Sequence, residues 1–311
     1  MNRVDGTGGK VDGGGRGSAD PPELGRRIRA ARSLFSGGMT VICATLSLIA
    51  ALPLFAVLYL LIERGATAFR LDMLWTLPPS GIRTQGGGFG NALLGTIWMI
   101  FIAGALAVPF GILAGVHLAE FGRGGRLSSV VRFATKVLTG LPSIIAGVFA
   151  YALIVRTTGA RSAVAGGVAL AVLMLPIVVL TAEEAVKAVP QRMREAAIGM
   201  GATRAQVVWK VSLPTSISSI LTGVMLAVAR AAGETAPLLF TAEFTLRWLR
   251  IDRLEPAPSL AVLIYEFSGS PYEHQRDVAW SASLALVAMV LAFNIAGQVL
   301  ANRSPLARRR H

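Results

Sequence analysis

Arg230 and Glu234 are ionisable residues set at the end of a long apolar run, Val211–Ala232, and the segment that follows it. Their spacing of four puts both on one helix face, where they can pair. Charged groups in so apolar a setting are costly and face a bundle interior or a water-filled cavity. A guanidinium presents a rigid fork of donors suited to transient contact with an oxyanion. A carboxylate one turn away weakens that attraction and keeps the arginine from trapping the anion. The pair therefore reads as a gate or weak pathway element; the alternative is an ion pair that fixes helix packing. Gly233 and Pro237 flank the pair and are expected to break or kink the helix, which makes a gating hinge. Other chemistry is hard to find. No HExxH or GxSxG motif occurs, and GTGGKVDGGGRGS near the amino terminus lacks the Gly-Lys-Ser/Thr ending of a phosphate loop. No catalytic residue and no metal site are expected. The single cysteine, Cys43, cannot close an intramolecular disulfide and is expected to be a small core residue.

The elements that must hold this pair follow from composition. The 311 residues are 53% hydrophobic and 15% charged, too little polar surface for a soluble domain of this size. Six apolar stretches are long enough to cross a hydrocarbon core, which takes about 20 helical residues. They are Met39–Ile62, Ala92–Ala119, Val137–Val155, Ser162–Ala182, Val211–Ala232 and Val278–Ala301. Prolines 53, 109, 142, 176 and 214 interrupt most of them, which suits a packed bundle lining a pathway. The predicted fold is an all-α polytopic membrane protein of about six transmembrane helices.

Net charge of +13 suggests a nucleic-acid partner only until its distribution is read. Twenty of the thirty Lys and Arg lie in the two tails and the second and fourth connections; nine lie in the opposite connections. By the positive-inside rule both termini are cytoplasmic, and the basic excess needs no nucleic acid. The expected organisation is a disordered Gly-rich cytoplasmic tail (1–36), a membrane domain (37–302) and a basic cytoplasmic tail (303–311). On the outer face, Glu63–Asn91 reads as a turn-rich loop, and Leu260–Tyr265 within Glu243–Asp277 is apolar but too short to span.

The fourth connection, Glu183–Pro214, is a polar, net-basic insertion between two apolar spans. It reads as two short helices joined at Gly201. Pro190 suits the first turn of one helix, and Thr203 with Gln206 has the form of a capping box opening the other. Pro214 is expected to end the loop and begin the next span. Glu195-Ala196-Ala197, Gly201 and Val211-x-Leu213-Pro214 together resemble the EAA loop of ABC-importer permeases, with Val211 where that family more often has Ile. The resemblance implies a type I importer permease fold with cytoplasmic coupling helices. It implies that the 183–214 loop docks in a groove of an ATPase subunit, with Glu195 at the contact and Ala196, Ala197 and Gly201 small enough to seat closely.

Further runs narrow the resemblance to phosphate-importer permeases: Pro109–Gly115 followed by Leu118–Gly122, Leu141–Gly147 with Tyr151, and Leu175–Val179. The most discriminating, Arg230–Ala242, is similar to the A-type permease subunit of phosphate-specific ABC importers. His117 and Phe121 stand where aromatic hydroxyls are expected, and His117 reads as a helix-end packing residue. The resemblance implies a permease in a bacterial plasma membrane, embedded in lipid. Its partners would be a homologous C-type permease, two ATP-binding subunits that hold ATP and Mg, and an extracytoplasmic phosphate-binding protein. This chain would bind no cofactor and hydrolyse nothing. A permease for sulfate or molybdate is the nearest alternative. An ATP-independent secondary transporter is disfavoured by the coupling loop, and a membrane enzyme by the lack of clustered catalytic groups.

Overall fold

A computed structural model describes the backbone of residues 23–81, 86–122, 124–250 and 254–303, with side chains from 35 to 299 within those ranges. The described residues form helices and turns, with no strand. The chain divides into two compact units, Met1–Leu58 and Tyr59–His311.

The first unit holds most of α1 (Glu23–Ala68). Its described side chains are apolar on every face, and Phe35, Leu46, Ile49 and Phe55 are all exposed, as a span bathed in acyl chains requires. Two expectations change here. Cys43 is exposed on this helix and is not a core residue, because no described face of α1 within this unit is covered. Helix begins at Glu23, inside the stretch expected to be an irregular tail; residues 1–22 and 304–311 lie outside the described residues.

The second unit contains the end of α1 and the remaining helices. α2 (Gly90–Val116) continues through a π-helical turn, His117–Phe121. Next come α3 (Arg126–Gly140), α4 (Ser143–Ala150), a π-helical turn Tyr151–Val155 and the short α5 (Arg156–Thr158). α6 (Ala163–Lys187) leads to α7 (Gln191–Gly199) and α8 (Arg204–Val207), whose π-helical continuation Val208–Ser212 runs into α9 (Leu213–Ala232). α10 (Ala236–Thr241), α11 (Leu260–Ser268) and α12 (Glu273–Arg303) complete the chain. Among the described residues five helices are long and apolar enough to cross a membrane, or six if α3 and α4–α5 count as one bent span.

The expected span Val137–Val155 is sharply bent at Pro142, one of the prolines expected to interrupt the spans, and α3 and α4–α5 meet there at 110°. Leu141 and Pro142 are both extended, with ψ of 128° and 136°, because proline excludes its predecessor from the helical region. Pro53, Pro109 and Pro176, by contrast, lie inside unbroken helices. Neighbouring helices in a bundle can hold such a segment straight while one backbone bond is lost.

α2 and α6 form the central seam, flanked by α9, and α9 in turn packs on α12. Lipid offers no hydrophobic drive for helices to associate, so close packing of small residues does this work. A Cβ on Gly111 would lie 2.7 Å from Val178 Cγ1, and one on Gly115 2.6 Å from Ala182 Cβ. Ala103 and Ala107 are buried on the same seam, and Met99, Met174, Val178, Ile220 and Val224 fill the core around it. A second cluster of Met73, Phe89, Leu260, Leu263, Phe267 and Val278 closes one end. The short apolar run of the last long connection is thus a buried helix, α11, whose cap Ser259 accepts a hydrogen bond from the Val262 amide at 3.3 Å.

Candidate functional site

Two places hold the residues singled out from the sequence, and one helix joins them. From Arg204 through the π-turn to Ala232 the chain is continuous helix. At 1.5 Å per residue, Arg230 lies about 24 Å along the axis from Pro214.

At the far end, Arg230 Nε stands 3.7 Å from Glu234 Oε1, beyond hydrogen-bond range, so the attraction is Coulombic and loose. The guanidinium side chain is 63% exposed and the carboxylate 17%. Arg230 therefore keeps its donors available while Glu234 is held close to the protein. α9 stops at Ala232, Gly233 caps it, and α10 opens at Ala236 with Pro237 in its first turn. The break expected at Gly233 and Pro237 is present. Pro237 seats on α4, where a Cβ on Gly147 would lie 2.6 Å from Pro237 Cα. Beyond the break the chain is anchored: the Ser162 amide donates to Thr241 O at 2.9 Å and the Ala257 amide to Ala242 O at 3.0 Å. Glu243 ion-pairs with Arg161 at 3.0 Å. The helix axis is thus interrupted at 233–235, and the chain beyond the break is fixed at 241–243.

At the near end, the coupling loop has the two helices expected. Gly201 joins them with φ of +86°, a conformation that costs other L-residues about 1 kcal/mol or more. Thr203 makes the full capping box: its hydroxyl accepts from the Gln206 amide at 3.3 Å, and Gln206 Oε1 accepts from the Thr203 amide at 2.9 Å. Pro190 takes the position just before the first helical residue.

Glu195 and Ala196 are exposed on α7, with Glu195 accepting from Gln191 Nε2 at 3.2 Å. Met193, Ile198, Met200 and Trp209 expose apolar surface nearby. Ala197 points inward, so its small size serves the packing of the loop itself. Val211, Leu213 and Pro214 are half-buried in the unbroken helix, Leu213 against the main core. Pro214 accordingly sits in the first turn of α9 without ending anything.

In the sequence Arg132, Lys187 and Arg194 enter only as basic residues of the second and fourth connections. In the structure all three meet largely buried carboxylates, with the Arg132 and Lys187 side chains themselves still half-exposed and Arg194 largely buried. Glu183, 5% exposed, pairs with Arg132 of α3 at 2.8 Å and with Lys187 at 2.5 Å. Arg194 of α7 pairs with Glu120 in the π-turn ending α2. Only the Glu183–Lys187 spacing of four was a local signal. His117 is a helix-end packing residue as expected, stacked on Phe121 with Nε2 3.3 Å from Ser128 Oγ. Among the described residues no cluster of His, Cys, Asp or Glu fits a metal ion.

The helices thus form a bundle with a capped polar loop at one end of α9 and an Arg–Glu pair beside a helix break at the other. The model of the binding-protein-dependent transport system inner membrane component family matches residues 107–305. Two solved structures share the fold. The MetNI methionine ABC transporter in an inward-facing conformation aligns with a TM-score of 0.57 and 21% identity, covering 75% of this chain and 98% of that one. The bacterial alginate ABC transporter, in complex with an alginate pentasaccharide-bound periplasmic protein, aligns at 0.60 and 14%, covering 92% and 99%. Among curated relatives, the phosphate transport system permease protein PstA of Yersinia pestis is 38% identical, covering 78% of this chain and 82% of the relative. The Haemophilus influenzae PstA is 39% identical (77% and 84% covered), and the Mycobacterium tuberculosis PstA 1 is 34% identical (90% and 91%). The chain belongs to the PstA family of phosphate transport system permease proteins.

Proposed function

We propose that this chain is one of two permease subunits of an ATP-driven importer of inorganic phosphate. It pairs with a homologous C-type permease, carries two ATP-binding subunits on the cytoplasmic side and receives phosphate from an extracytoplasmic binding protein. Both termini face the cytoplasm, consistent with the Lys and Arg distribution. The chain holds no nucleotide; ATP and Mg belong to the partner ATPases, and the permease is not itself an enzyme.

The observation that carries this reading is the single helix, Arg204–Ala232, which joins the coupling loop to Arg230. Closure of the ATPases on ATP presses on α7 around Glu195 and Ala196 and on the Gly201 joint that follows it. The root of α9 at Val211, Leu213 and Pro214 passes that displacement along a rigid rod to the break at Gly233 and Pro237. The bundle turns outward, phosphate enters past Arg230, and hydrolysis resets it. Arg230 supplies charge-assisted donors to the phosphate oxygens, while Glu234 competes for the guanidinium and permits release. ATP shifts the equilibrium only because the ATPases bind the two states of the permease differently.

The test is uptake of radiolabelled phosphate at low external concentration in cells with this chain deleted and then restored. Uptake that disappears, returns and ignores excess sulfate is the expected result. Restored uptake of sulfate or molybdate instead would assign another oxyanion.

A further inference from the structure

Among the described residues, Arg194 is the α7 side chain that hydrogen-bonds or ion-pairs with membrane-spanning helices, and it reaches two of them. Its Nη2 donates to the Val186 carbonyl in the last turn of α6 at 2.6 Å and stands 3.4 Å from Glu120 Oε1 at the end of α2. The pair is well buried, at 14% and 12% exposure. The first contact satisfies a carbonyl that a helix C-terminus leaves orphaned and sets a cation against the negative end of the helix. The second is an ion pair whose angle falls outside hydrogen-bonding geometry, so that Glu120 Oε1 and Arg194 Nε are both buried without a hydrogen bond. A π-turn, His117–Phe121, places Glu120 at this spot, and such turns recur where function needs a displaced side chain. Beside the pair lies a cavity of about 330 Å³ lined by Glu120, Gln191, Arg194, Arg204 and Val208 among others.

We infer that Arg194 and Glu120 form a clamp that ties the coupling helix to the α2–α6 seam, so that ATPase movement reaches the bundle by a second route besides α9. α2 and α6 are held together by the glycine seam, and a load applied at Arg194 moves them as one body. Unfilled hydrogen-bonding capacity and adjacent space let the ion pair tighten or part as α7 shifts, without breaking the stronger bond to Val186. Both are positioning residues: they touch neither nucleotide nor phosphate.

The inference rests on α7 being the ATPase contact, and its test separates the two. The four-component complex is purified and reconstituted, and phosphate transported per ATP hydrolysed is measured for the wild type, Glu120→Gln and Arg194→Lys. Glu120→Gln keeps the shape of the side chain and leaves Arg194 its bond to Val186. We expect the ATPase subunits to co-purify with it, hydrolysis to continue, and the transport-to-hydrolysis ratio to fall on the order of tenfold, a typical coupling between sites. Arg194→Lys, which keeps the charge but loses the fork, should show a smaller fall. An unchanged ratio in both single variants with intact co-purification overturns the clamp. Failure of the ATPases to co-purify with the wild type would instead overturn the coupling reading beneath it.

Discussion

On the proposed function, Arg230 is the residue that meets the anion. A hydrogen bond to a charged group contributes about 1.5–3 kcal/mol. Arg230→Ala should therefore lower phosphate uptake by about tenfold or more while leaving assembly intact, since the side chain is largely exposed and packs little. Uptake in cells, read beside co-purification of the partner subunits, checks this; normal uptake by an assembled complex would leave the pair a structural one. Glu234→Gln should act in the opposite sense on binding. Without its competitor Arg230 holds phosphate longer, so the half-saturating concentration and the maximal rate both fall, and a rise in half-saturation would refute the competition. This pair was legible in the sequence because two ionisable groups four apart beside an apolar run announce themselves. Glu120 and Arg194 were not, because their meeting depends on the π-turn at His117–Phe121 and on how α7 folds back, neither of which leaves a local pattern. Ala197 was read as part of the docking face, yet it is buried; the Glu-Ala-Ala pattern gives no sign of which way each alanine points.

At the scale of elements, caps and turns were readable, but which prolines break a helix was not. Thr203 and Gln206 formed the expected capping box because it is defined by a spacing of three on one strand of chain. Thr203→Ala should cost about 1 kcal/mol, seen as a lower thermal stability of the purified complex and a weaker hold on the ATPase. Unchanged stability would mean that tertiary packing alone sets the start of α8. Proline was an unreliable guide: Pro142 turns the chain through 110° while Pro109 and Pro176 pass unnoticed in packed helices. The difference lies in neighbours far away in sequence. The α4–α10 seam shows the same dependence, since Gly147 and Pro237 come from separate motifs and meet only in the fold. Gly147→Val should force α10 off α4 at about 1–3 kcal/mol and loosen the hinge beyond Arg230. We expect reduced uptake with the ATPases still bound; wild-type uptake would show that α10 does not depend on this contact.

For the whole molecule, apolar runs of membrane-crossing length reported the bundle reliably, since lipid demands that backbone groups be satisfied within each helix. Which runs stand straight, and which one is bent, depended on packing at the α2–α6 seam and around α4. The bundle has a polar loop at one end of α9, an Arg–Glu pair beside a helix break at the other, and a continuous helix from Arg204 to Ala232 between them; on the proposed function the first meets the ATPases and the second the anion. The claim that this helix couples ATP to phosphate is tested most directly in proteoliposomes holding the complete complex and the binding protein. Labelled phosphate accumulation is followed with ATP, without ATP, with an ATPase subunit unable to hydrolyse, and under excess sulfate. Accumulation that requires hydrolysable ATP, ignores sulfate and collapses with Arg230→Ala is the predicted result. Accumulation that persists with the inactive ATPase would contradict it and make the chain a secondary transporter.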